Sequence, residues 1–234
     1  MNESHSTTPA PQTPAGSCVI DISHHNGKAL DFAGARSGGI VGVIHKASQG
    51  SGWRDPMFVA NRARAREAGL LWGAYHFGTA SDGRKQAANF LDAVGDPRDV
   101  LMALDLEPNP AGGSMDLVGA HAFVVHVFER TGRFPGLYSG HMIKELLGAR
   151  EDPILANCWL WLAQYGPKAV VPPNWRTWTL WQYTDGQIGS DPKVVEGVGR
   201  CDRSRFNGSV GNLQKLWRGG KAASEGLCPS RGAC

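Results

Sequence analysis

Residues 100–107 read VLMALDLE, and Pro108 follows directly. The unbroken apolar run from Val100 to Leu104 reads as a core strand, and proline ends it because it has no N–H to give a ladder. Asp105 and Glu107 stand two residues apart, so on a strand their side chains point to one face. Acidic side chains are rarely fully buried unless paired. Two of them at the end of a core strand therefore cost stability that function has to justify. The alternative, that both simply face solvent past the strand end, is opposed by their direct entry from the apolar run.

Outward from this stretch the same rhythm recurs, short apolar runs alternating with longer amphipathic ones, which is the pattern of β/α units. The expected strands are Cys18–Ser23, Ile40–Ser48, Leu70–Gly78, Val100–Glu107, Pro135–Gly140, Cys158–Tyr165, Trp178–Thr184 and Val198–Phe206. Helices are expected over Asp55–Ala68, Arg84–Val94, Ser114–Thr131 and Val210–Trp217, the first with Asp55 as cap, Pro56 in the first turn and Gly69 as its stop. After Tyr138, Pro167, Pro172, Pro173 and Pro192 leave little room for helices, so the final third reads as strand and loop. A chain of 234 residues suits one β/α barrel or one large sandwich. The division expected is a flexible leader (residues 1–16), a catalytic barrel (17–218) and a loose tail (219–234).

Composition narrows the class. With 41% hydrophobic and 19% charged residues the chain can fill a globular core, and a net charge of +3 with interspersed signs gives no stripe to follow a nucleic-acid backbone. No apolar run reaches the roughly 20 residues needed to cross a bilayer, and the polar, proline-rich start does not read as a secretory signal. A soluble monomer is expected. Five cysteines are too few and scattered for a disulfide scaffold. Cys18, Cys158 and Cys201 read as buried thiols, while the spacing of Cys228 and Cys234 permits a small loop.

Two further strands carry acids, Asp21 in VIDIS and Asp202 in RCDRSRF. In a closed barrel the first and last strands are neighbours, which would bring all four acids to one rim. Mutual repulsion would raise the pKa of at least one, as protonation of a glycosidic oxygen near neutral pH requires. Aromatic and amide side chains crowd the same strand ends, a mixture suited to the apolar faces and polar edges of a sugar, with about half of the aromatics expected to be packing only. A catalytic metal is not expected. His24 and His25 would face opposite sides of a strand, His121 and His126 lie on different helical faces, and no HExxH or paired CxxC spacing occurs.

Taken together, VIDIS, HKASQG with WRDPMFVANRARAREAGLLWGAYHF, the LDLE pair, GLYSG, WLAQY, LWQYTDG and CDRSRFNG resemble glycoside hydrolase family 25, the Chalaropsis-type muramidases. The resemblance spans about Val19 to Gly208. It implies an α/β fold, a single TIM-like β/α barrel with five β/α units followed by three strands lacking full helices. It also implies hydrolysis of the β-1,4 bond between N-acetylmuramic acid and N-acetylglucosamine in peptidoglycan glycan strands, without a cofactor. Carried over by position, Glu107 is the general acid, Asp105 its partner, and Asp21 and Asp202 the other rim acids. Tyr75, Phe77, Tyr138, Trp161, Gln182 and Tyr183 match cleft positions. Two departures stand out: His24-His25-Asn26 where a tryptophan and glutamine are frequent, and Gln49 where a glutamate is common. A chitinase-like hydrolase of other 2-acetamido glycans and an inactive glycan-binding protein remain as alternatives. The site of action is expected to be the cell wall, reached as a phage or prophage endolysin or by another export route.

Overall fold

The computed structural model describes residues 18–219. The expected leader, the tail beyond Gly219, and Cys228 and Cys234 lie outside the described residues. Strand β1 (Val19–Ile22) leads through a 3-10 turn at His24–Asn26 into helix α1 (Phe32–Ser37). Strand β2 (Gly42–Gln49) folds back on the short β3 (Trp53–Arg54) before α2 (Phe58–Glu67), β4 (Leu71–Phe77) and α3 (Gly83–Val94). Then come β5 (Val100–Asp105), α4 (Leu117–Thr131), β6 (Gly136–Ser139), α5 (His141–Leu147), β7 (Leu160–Ala163) and β8 (Leu180–Thr184). A small hairpin of β9 (Val194–Val195) and β10 (Gly199–Arg200) precedes β11 (Asp202–Phe206) and α6 (Val210–Trp217).

The strands β1, β2, β4, β5, β6, β7 and β8 lie parallel in that order, and β11 closes the barrel between β8 and β1. Each expected strand segment holds one barrel strand. Five helices follow the early strands, and no α-helix separates β7, β8 and β11, as the prolines require. The direction of the closing strand is a finding: β11 runs antiparallel to both neighbours and starts at Asp202, not Val198, because Gly199 and Arg200 pair with β9 instead.

Strand alternation sorts side chains into two layers. Outward residues such as Ile20, Val43, Trp72 and Met102 pack under the helices. Inward residues Val19, Ile44, Leu101, Leu180 and Phe206 fill the barrel at the amino ends of the parallel strands, where Leu213, Leu216 and Trp217 of α6 seal it. Trp217 donates its indole N–H to the Trp72 carbonyl at 2.8 Å, and a Cβ on Gly42 would come within 2.9 Å of its ring, so only glycine fits there.

Two local readings are corrected. Helix α2 begins at Phe58, so Asp55 does not cap it; its buried carboxylate accepts N–H bonds from Met57 and His24. His24 and His25 stand on a 3-10 turn rather than a strand, and their rings, instead of facing apart, meet at 3.9 Å between centroids.

Candidate active site

At the carboxyl end of the barrel the inward rows turn polar. Asp21 follows Val19 by two residues on β1, Lys46 follows Ile44 on β2, Asp105 follows Ala103 on β5, and Gln182 follows Leu180 on β8. Because β11 runs the other way, its first residue Asp202 arrives at the same rim and stands in register opposite Asp21. Strand β5 ends at Asp105, earlier than expected, but the Leu106 N–H still bonds the Tyr138 carbonyl and carries Glu107 onto the rim. The four acids thus converge on a hollow of about 120 Å³, lined also by Tyr75, Tyr138, Trp161 and Gln182.

Gln182, 1% exposed, organises one wall. Its carbonyl accepts hydroxyl bonds from Tyr138 at 2.9 Å and Tyr165 at 2.7 Å, which leaves its amide N–H₂ facing Asp21, 3.0 Å from both carboxylate oxygens. Trp161 is held by an indole bond to the Ser204 hydroxyl and an edge-on contact with Tyr138. Tyr138, Trp161 and Asp21 are therefore held in place by bonds within the protein itself, which is what preorganised catalysis requires.

Burial dominates the electrostatics. Desolvation, then repulsion from Glu107, holds Asp105 well above the usual carboxylate range, and the nearby Lys46 charge opposes this. Asp21 is likewise held high by burial and by Asp202, against the Gln182 bond. Asp202 is pushed up to about 6 by burial, and Glu107 is raised by burial with Lys46 opposing. Asp105 Oδ1 is buried with no hydrogen-bond partner, a further cost of ionising that group. Such a cluster can hold protons near neutral pH beside at least one carboxylate, the pairing that acid-assisted cleavage of a glycosidic bond needs.

One expected cleft residue lies elsewhere. Tyr183 alternates with Gln182 on β8 and so points out of the barrel, where it packs with Leu160, Leu162 and Trp181 under the Arg205 guanidinium. Phe77, two residues beyond Tyr75 on β4, stands at the rim in register with Asp105, with the Lys46 ammonium 4.7 Å above its ring. Two residues were missed. Lys46 could have been found from its spacing to Ile44, whereas Tyr165, beyond the end of β7, carries no sequence signal that distinguishes it from a loop tyrosine. Cys18, Cys158 and Cys201 are buried, as expected, and no cluster among the described residues could hold a metal ion.

A β/α barrel that gathers carboxylates, aromatic rings and an amide at the carboxyl ends of its strands defines a barrel-type glycoside hydrolase. The family model for glycosyl hydrolases family 25 matches residues 20–191. The chain belongs to that family. It is 32% identical over 225 residues to Lysozyme M1 of Streptomyces globisporus, covering 89% of this chain and 74% of that protein. It is 29% identical to the N,O-diacetylmuramidase of a Chalaropsis species, covering 86% of this chain and 98% of that one. Among solved structures, the bacterial lysozyme from Streptomyces coelicolor superposes with a TM-score of 0.77 at 31% identity, over 88% of this chain and 99% of that chain.

Proposed function

We propose that this glycoside hydrolase is a muramidase that cleaves the β-1,4 bond between N-acetylmuramic acid and N-acetylglucosamine in peptidoglycan. The observation that carries the reading is the placement of Asp105 and Glu107 in one open hollow with Tyr75, Tyr138 and Trp161. A hollow of about 120 Å³ is smaller than a saccharide chain, so it is the floor of a groove over which a glycan lies.

In this reading Glu107, the less buried of the pair, protonates the leaving oxygen, and Asp105 orients the 2-acetamido group whose carbonyl oxygen attacks the anomeric carbon. In the empty site the heavier burial of Asp105 favours the shared proton there. An acetamido N–H brought against Asp105 stabilises its carboxylate and moves the equilibrium toward protonated Glu107. Substrate binding thereby arms the acid. Asp21 and Asp202 hold the opposite wall. The enzyme acts on the wall as a monomer, without nucleic acid and without entering the membrane; among the described residues no helix is long and apolar enough to cross one.

The test is turbidity loss of purified peptidoglycan, with reducing-end analysis. The wild type should expose muramic acid ends, and Glu107→Gln, nearly isosteric, should lose about 10²-fold or more in rate while keeping its circular dichroism spectrum. Exposed glucosamine ends, or full activity in Glu107→Gln, would overturn the reading. An inverted first-formed anomer would instead assign water activation to Asp21 or Asp202.

A further inference from the structure

Strand β2 carries a bulge beside the site. Lys46 pairs with Tyr75 and Ser48 with His76 on β4, so Ala47 is an extra residue. Ala47 packs in the layer under the helices, and the Ser48 hydroxyl bonds His76 Nδ1 at 2.8 Å, also outside the barrel. In a regular strand residues three apart face opposite sides. The bulge puts Lys46 and Gln49 on the same side, where Lys46 Nζ donates to Gln49 Oε1 at 2.7 Å. The ammonium lies 4.7 Å from the centre of the Phe77 ring and 5.4 Å from that of Trp53.

No carboxylate among the described residues lies within ion-pair distance of that nitrogen. The acids that act on it are Asp105 at the end of β5, Glu107 just beyond that strand and Asp55 after β3; Gln49 beside it is neutral, Asp21 and Asp202 stand on β1 and β11 at the same rim, and His76 lies behind the sheet. Asp55 already has His24 Nδ1 at 2.8 Å and two backbone N–H donors. The Lys46 charge is therefore left to act on the acid pair.

We infer that Lys46 is a positioning residue of this active site: its ammonium, held at the rim by the uncharged Gln49 amide, keeps one of Asp105 and Glu107 ionised while the other carries the proton. The inference deepens the muramidase reading and rests on it. Burial raises both carboxyls and Glu107 repels Asp105, while Lys46 is the cation that pulls both back down. Burial lowers the value of Lys46 itself, and Asp105, Asp55 and Glu107 act to retain its charge. A carboxylate at position 49 would pair with the ammonium and cancel much of its field at the acids. The neutral amide holds the nitrogen without that cancellation.

Two variants test this, Lys46→Met, which keeps the stem against Phe77 and Trp53, and Gln49→Glu, which keeps an acceptor for Nζ. Each is read twice at low ionic strength: by the pH profile of peptidoglycan lysis, and by carboxyl carbon NMR titration of Asp105 and Glu107, which needs no activity. Losing an opposite charge raises a carboxyl pKa, so both limbs of the profile and both titrations should move to higher pH, by about one unit in Lys46→Met. Gln49→Glu should move them the same way by less. Superposition or a downward shift in Lys46→Met overturns the inference, and Lys46→Gln, which likewise removes the ammonium without adding a charge, decides in its place should Lys46→Met not fold. Shifted titrations in a protein that lyses no peptidoglycan would refute the muramidase reading and leave the electrostatic role standing.

Discussion

Replacing Asp202 with asparagine should stabilise the protein at neutral pH while damaging its site. Asp202 moves from 3.8 to about 6 on folding, chiefly through burial, with Asp185 and Glu107 adding repulsion. A folded-state value raised above the unfolded one means the native state binds more protons in between. Stability is therefore fully present below 3.8 and is lost as pH rises through 6. At about 1.36 kcal/mol per unit, the wild type at pH 7 carries a penalty of about 3 kcal/mol from this group. Asparagine never ionises and keeps a carbonyl for the backbone bond, so it avoids the penalty. For a domain of this size that corresponds to a rise in Tm of about 6–12 °C. The wild-type pH curve alone would not show it, because buried His76, lowered to about 4, has the opposite slope: its contribution is present above 6.5 and lost as pH falls through 4. The difference between variant and wild type removes the His76 contribution and reports Asp202 together with the repulsion it exerts on Asp21 and Asp105. Thermal unfolding followed by circular dichroism from pH 4 to 8 should give near-equal Tm values at pH 4 and a gap that opens through pH 6. A gap that is absent at pH 7, or widest at pH 4, would refute the reasoning.

Tyr138→Phe should impair lysis by releasing Gln182 from one of the bonds that aim it at Asp21, whereas Tyr183→Phe, which loses a bond to the Pro192 carbonyl outside the barrel, should lyse at the wild-type rate. Equal losses in a turbidity assay would reverse this placement of the two tyrosines. Trp217→Ala should cost about 3–5 kcal/mol by opening the sealed end of the barrel, and urea unfolding should show it as a lower midpoint with little change in slope.

Local pattern carried most of this architecture. A run such as Val100–Leu104, the proline spacing after Tyr138 and the i, i+2 placement of Asp105 and Glu107 are properties of adjacent residues, and alternation or its interruption is legible wherever it occurs. The side on which Tyr183 falls was legible too, from its neighbour Gln182. What chain pattern could not supply depends on partners far away along it. The reversed direction of β11, which delivers Asp202 to the rim by its first residue, follows from pairing with β1 and β8. The bulge at Ala47 is visible only against β4, and the two phenols that orient Gln182 come from β6 and from the loop after β7. Protonation was decided last of all, because a carboxyl's affinity for its proton is set by how much water the finished barrel removes and by which charges it leaves nearby.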